Sequence, residues 1–258
     1  MSDTTLSQLP PARRGPSLRS LAESALLIIA IYVLMCVVYV SVQPSALSAY
    51  SIESLLNNSL PLMLAAAGAT FVILQGGFDL SVAGTISLVN VVVAVLPFEG
   101  VGGALTTLAI AVAIGATVGA INGLVVAGLR IQAIAATLAT MIICQGVALL
   151  ILKAPGGYVS DFMAYELTAS LWGVPVAALI ALAVICFWAV FRRTNSGRNL
   201  LAVGQDRKAA ALSGINVART EFLSFVWAGV FYALSAYMLA AQTSTGNPNA
   251  GEPYLLLT

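Results

Sequence analysis

Apolar and polar stretches alternate along the chain with a long period. Apolar runs occupy 25–42, 60–75, 80–98, 105–129, 131–152, 174–191 and 222–241. A helix that crosses the hydrocarbon core of a bilayer needs about 20 predominantly apolar residues, with a range of roughly 17–25. All the runs but the second reach that range. The second can lengthen only backwards, through the polar stretch 52–59, with Pro61 near a helix start or at a kink. The segments between are polar or turn-like: 1–24, 43–59, 76–79, 99–104, 153–173, 192–221 and 242–253. The pattern predicts an all-α, polytopic transmembrane helical bundle at 25–258, preceded by a tail at 1–24. The first run is too long for the core of a cleavable signal, and no small-residue cleavage site precedes Pro44. A new apolar run opens at Tyr254 and reaches only Thr258, which leads us to expect further spans beyond it.

Composition agrees. Of 258 residues, 60% are hydrophobic and 8% charged, against about 25% charged in soluble domains. So few charges could not cover a water-soluble surface of this size. No histidine is present, which removes the commonest general base and metal ligand. Cys36, Cys144 and Cys186 lie far apart in apolar runs and are expected to be small buried hydrophobes. No metal site, catalytic residue or nucleic-acid surface is predicted. Nor is there a Walker A pattern, since Lys153 and Lys208 are both followed by alanine.

The basic residues set an orientation. With the N-terminus in the cytoplasm, the inner segments hold Arg13, Arg14, Arg19, Arg130, Arg192, Arg193, Arg198, Arg207, Lys208 and Arg219, and the outer ones hold only Lys153. Basic residues concentrate on the cytoplasmic side of membrane proteins, so this topology is expected.

Three local features carry chemistry. In the fourth run, Gly115, Gly119 and Gly123 recur every four residues, flanked in register by Ala111 and Ala127. Such a stripe lets two helix backbones approach closely, in a bundle or between subunits. Asn90, Asn122 and Gln145 are amides within spans, which need a partner or a wet cavity. Between the second and third runs, Gly76 and Gly77 can stop one helix and Asp79 can cap the next, ahead of Ser81. A Gly-interrupted span edge bearing an acid can equally mark a pathway or gate. In 192–221, a short helix is expected from Asp206 to Ser213, with Gly204 before it and Gly214 after it. Its Arg207 and Lys208 give way to an alanine run, a shape suited to docking into a groove on another protein.

Three stretches resemble a known family. GGFDLSVAG (76–84), NGLVVAGLRIQAIAATLAT (122–140) and GRNLLAVGQDRKAAALSGI (197–215) are similar to signature blocks of the permease subunits of bacterial ATP-binding-cassette importers for monosaccharides, the ribose, xylose, arabinose and galactose branch. Phe78 stands where that family has an aliphatic residue, and Gln205-Asp206 where it commonly has Gly-Asn; its members continue past residue 258 with further spans. The resemblance implies that Gly204, Asp206, Ala209, Ala210, Ser213 and Gly214, with Arg207 among them, couple the chain to an ATPase. It implies a second permease copy, an ATPase subunit carrying ATP and Mg, a periplasmic or lipid-anchored sugar-binding protein, and a bacterial inner membrane. No cofactor is expected on this chain. An ion-coupled secondary transporter would need intramembrane acids, which are scarce here. A non-transporting membrane scaffold is the remaining alternative.

Overall fold

The computed structural model describes residues 18–96 and 98–256, with side chains from residue 26 onward. Two compact units are present, Met1–Ile52 and Glu53–Thr258. In the first, helix α1 (Leu18–Val42) is followed by a 3-10 turn, Pro44–Leu47, closed where Ser51 Oγ donates to the Ser45 carbonyl at 2.9 Å.

Helix α2 (Ala49–Leu74) starts well before the apolar run it contains. Its polar first half is held by side-chain bonds: Ser59 Oγ donates to Leu55 O at 2.7 Å, and Asn57 Nδ2 donates to Thr168 O at 2.8 Å. Pro61 sits inside the helix, and its carbonyl accepts Ser235 Oγ–H at 2.6 Å. There follow α3 (Ser81–Val95), α4 (Gly100–Gly123) with a π-helical turn at Leu124–Gly128, α5 (Ala133–Ile151), the short α6 (Asp161–Glu166), and a small hairpin pairing Ser170–Leu171 with Val174–Pro175. Then come α7 (Val176–Phe191), α8 (Asn195–Gln205), α9 (Arg207–Leu212) and α10 (Val217–Thr243). Among the described residues, four helices are long and apolar enough to cross a membrane: α2, α4 with its π turn, α5 and α10. The pair α7 and α8 adds a fifth if counted as one bent span, broken by 74°.

The segment expected to hold one helix between loops therefore holds two. Gly204 lies inside α8, not ahead of a helix start, because the α8 pattern continues one turn further than its weak apolarity indicates. A Cβ on Gly204 would overlap the Leu74 carbonyl oxygen, so this glycine serves a close crossing with the end of α2. The expected inner loop is also shorter than predicted, since α10 begins at Val217 and takes in Glu221.

Helix α10 is the axis of the second unit. It packs along α4 through the small-residue stripe: a Cβ on Gly115 would overlap Gly229 O, one on Gly119 would overlap Phe225 O, and one on Gly123 would come to 2.9 Å from the Phe222 ring and carbonyl. Lipid tails are as apolar as leucine, so in a bilayer this closeness supplies the attraction that water would otherwise supply. On its other side, Trp227 and Phe231 join Phe71 of α2 and Phe187, Trp188 and Phe191 of α7, with the Phe71 and Trp188 centroids 4.5 Å apart. Leucines, isoleucines and valines on the outer faces of α5 and α7, such as Ile143, Leu150, Leu182 and Ile185, are exposed, as a lipid-facing surface requires. Cys144 is buried, but Cys36 and Cys186 are exposed, against the expectation that all three would be covered.

Gly229→Leu forces the α4 and α10 backbones apart. Overpacking costs about 1–3 kcal/mol, and more where backbone must move. The variant is expected to unfold well below the unsubstituted chain in detergent, read by thermal aggregation on size-exclusion chromatography. Gly102→Ala, whose Cβ meets nothing within 4 Å, is expected to leave the transition unchanged or raised.

Candidate functional site

The polar side chains of the apolar helices gather in three places. The first is internal. Asp79 sits in the turn between α2 and α3, and its Oδ1 accepts the Ser81 backbone N–H at 2.9 Å and the Ser81 hydroxyl at 2.6 Å. This is an Asx turn at the mouth of α3. Ser81 Oγ accepts Asn122 Nδ2–H at 2.8 Å, and Asn122 Oδ1 accepts the Thr140 hydroxyl at 2.7 Å. The Tyr232 hydroxyl of α10 faces the same carboxylate, short of full hydrogen-bond geometry. Every donor in this chain points towards Asp79. Each bond polarises the next, and the carboxylate is the terminus. The direction also fixes the Asn122 amide, because Ser81 spends its proton on Asp79 and must accept from a nitrogen. Ser81 and Asn122 are buried, at 1% and 0% exposure.

The second place is the end where the α2–α3 turn, the α4–α5 turn and α9 meet. A groove of about 480 Å³ is lined there by Gln75, Gly76, Gly77, Arg130, Arg207 and Glu221. Gly76 has φ of +81°, and Arg130 turns the chain with φ of +57°. Gln75 Oε1 accepts the Ser224 hydroxyl at 2.7 Å, tying this turn to α10. Helix α9 is set with care at both ends. Asp206 Oδ1 accepts the N–H groups of Lys208 and Ala209 at 2.8 and 3.1 Å. At the other end Gly214, with φ of +83°, donates to Ala211 O, and Ile215 donates to Ala210 O, which is a Schellman closure. Arg207 forms an ion pair with the buried Glu221 of α10. Ala210 faces inward, whereas Ala209, Ser213 and Leu212 are exposed, Leu212 by 91%.

The third place is the far end. A cavity of about 500 Å³ lies between α2, α3, the end of α10 and the segment after it, with Asn58, Asn90, Thr243, Asn247 and Asn249 in its wall. Asn90 Oδ1 accepts the Asn247 backbone N–H at 2.7 Å.

Of the predicted pathway residues, Asp79, Ser81 and Asn122 thus form one network, Gly76 and Gly77 line the groove at one end, and Asn90 lines the cavity at the other. Gln145 is partly buried on α5 and makes no hydrogen bond among the described residues. Gly115, Gly119 and Gly123 lie against α10 of the same chain. Sequence reasoning missed Gln75, Thr140, Ser224 and Tyr232. Hydroxyls are common in membrane helices and carry no signal of their own, although Gln75 at the edge of a run was an available one. Among the described residues no cluster of side chains suited to a metal is present.

Comparison with known proteins bears on the same region. The family described as branched-chain amino acid transport system / permease component matches residues 51–258. The chain belongs to this family. Within it, the chain is similar to the L-arabinose transport system permease protein AraH of Escherichia coli (strain K12), 34% identical over 200 residues, 75% of this chain and 60% of that protein. It is similar to the ribose import permease protein RbsC of Bacillus subtilis (strain 168), 33% identical over 235 residues, 88% of this chain and 71% of that one. The autoinducer 2 import system permease protein LsrC of Enterobacter sp. (strain 638) is 36% identical over 208 residues, 80% of this chain and 60% of that one. The chain therefore spans about three fifths of the length of AraH. No solved structure matches it. Asp79, Ser81, Asn122 and Thr140 of the internal network and the whole of α9 fall inside the matched region of this multi-pass membrane permease family.

Asn122→Ala leaves the Ser81 and Thr140 hydroxyls without their buried partner. Losing a buried hydrogen-bond partner costs about 1–3 kcal/mol. The variant is expected to be less stable in detergent by that order. A double-mutant cycle with Thr140→Val should show coupling, since Thr140 acts through Asn122; additive losses would dissolve the network as described.

Proposed function

We propose that this chain is the membrane-spanning part of a permease subunit of an ATP-binding-cassette importer, forming the translocation pathway for a monosaccharide or a similar small polar solute. The observation that carries this reading is α9. It is a six-residue helix, capped at both ends, ion-paired to α10 and presenting exposed Ala209, Leu212 and Ser213. A helix so short is not stable by itself, and an exposed leucine on it has no internal use. It has the form of a knob held out to a partner. The names of the relatives, import permeases for arabinose, ribose and autoinducer 2, agree with that reading.

The partners follow. ATP and Mg belong to a separate ATPase chain that receives α9, and a second permease copy completes the pathway. A periplasmic or lipid-anchored binding protein delivers the solute at the far end. The groove end carries Arg130, Arg192, Arg193, Arg198, Arg207, Lys208 and Arg219, so it faces the cytoplasm, and the N-terminus lies on the same side. The membrane is the bacterial inner membrane. Movement of α9 reaches α10 through Arg207 and Glu221, and α10 carries it to α4 through the glycine crossing, because packed helices shift as rigid bodies.

Leu212→Asp alters only an exposed side chain, so thermal stability in detergent should not change. Co-purification with the partner ATPase is expected to fall about tenfold, the loss of one well-packed contact residue. Equal recovery of the ATPase with Leu212→Asp, and again with Ala209→Trp, would sink the coupling role.

A further inference from the structure

The far-end cavity is built on irregular backbone deep inside the bundle. Helix α10 stops at Ser244, whose φ is +54°, and the strand-like contact of Gly246 with Gly156 turns the chain back. Residues 247–255 then run down the side of α3. Asn247 N–H donates to Asn90, Gly251 N–H donates to Ser87 Oγ at 3.0 Å, and a Cβ on Gly251 would overlap the Ala83 carbonyl. Ala83 lies twelve residues before the far end of α3 at Val95, which is about 18 Å at 1.5 Å per residue. The segment is held in short turns: Ala250 donates to Asn247 O, and Glu252 donates to Asn249 O. Non-helical backbone at such depth persists only where protein buries it or where it lines a wet cavity. Here it does line one.

The chemistry of the wall selects the occupant. Asn58, Asn90, Thr245, Asn247 and Asn249 supply amides and hydroxyls, while Leu62, Leu239 and Pro253 supply an apolar side, and no Asp, Glu, Lys or Arg lines it among the described residues. Asn90 is 1% exposed, and its Nδ2 has no partner. Its orientation is fixed, since Oδ1 holds the Asn247 N–H. A buried amide that donates to nothing is costly and tolerable where a ligand or water supplies the acceptor. The volume, about 500 Å³, lies within the range of roughly 300–1,000 Å³ found for small-molecule sites.

We propose that this cavity is a subsite for an uncharged polyhydroxylated solute, with Asn90 Nδ2 donating to a solute hydroxyl and the re-entrant segment 247–255 forming its wall. The proposal rests on the import reading above and places the solute at one position in the pathway. Neutral donors and acceptors without a fixed charge match a sugar. An amino acid zwitterion would meet no ion to pair with.

The test uses the permease assembled with its ATPase and its binding protein in lipid vesicles, with Cys36, Cys144 and Cys186 replaced by serine. Asn249→Cys, an exposed position in the wall whose side chain makes no described hydrogen bond, is treated with a membrane-impermeant maleimide. Labelling is expected, and ribose or arabinose at about ten times its dissociation constant should slow it about tenfold by occupancy. Leucine at the same concentration should not. In parallel, Asn90→Ala should raise KM for sugar uptake about tenfold, the worth of one hydrogen bond to the solute, with little change in kcat. An unlabelled cysteine would mean that protein fills the cavity in the assembly and overturns the proposal. So would equal labelling with and without sugar, or protection by leucine instead. Uptake by the unsubstituted permease separates the two readings. Uptake without protection removes the subsite alone; absent uptake removes the import reading with it.

Discussion

The contact of backbone with backbone between α4 and α10 is the constraint on which the second unit depends. Gly115 and Gly229 face each other so closely that neither can carry a Cβ. In a bilayer there is no gain from hiding apolar surface that lipid already hides. What remains is dispersion between surfaces close enough to feel it, and small residues are how two helices reach that distance. The crossing sets the end of α4 beside Phe222 and Phe225 of α10. Near that end Asn122 bonds Ser81 of α3 and Thr140 of α5, while the Tyr232 hydroxyl of α10 faces Asp79. The internal network stands beside the crossing. It adds direction to a contact that dispersion alone would leave free to slide.

Because α10 runs the length of the second unit, both ends of that unit are tied to it. At one end Glu221 holds Arg207, and through it α9. At the other, Ser244 releases the chain into the segment that lines the far cavity. The glycine contact at the crossing leaves no room for a Cβ on either helix. The short exposed helix at one end and the cavity at the other are thus both tied to α10.

The helices and the stripe were legible because they rest on local pattern. Apolar length marks a helix wherever lipid is the solvent, and glycine every fourth residue marks a face whatever it meets. The stop of α9 at Gly214 was legible for the same reason, whereas Asp206 was not singled out as its cap. What sequence could not show depends on distant partners. The polar turns of α2 are helical because Asn57 finds Thr168, 111 residues away. Gly204 was read as a helix start, yet it answers to Leu74. The course of 247–255 depends on Ser87 and Asn90, and its composition alone describes any polar loop. Gln145 differs: it lies partly buried on α5 and makes no hydrogen bond among the described residues.

Charge explains why these polar sites differ in kind. Asp79 is an acid at the edge of an apolar bundle, and a carboxylate there is costly unless it is bonded. The fold answers with the two Ser81 bonds and with donors lined up behind them. Asn90 carries no charge, costs less to bury, and is left with one end unsatisfied. A neutral amide holds a hydroxyl with a bond that water can replace, whereas a buried ion would bind tightly or demand a counter-charge. The acid is bonded within the frame, and the amide lies at the cavity.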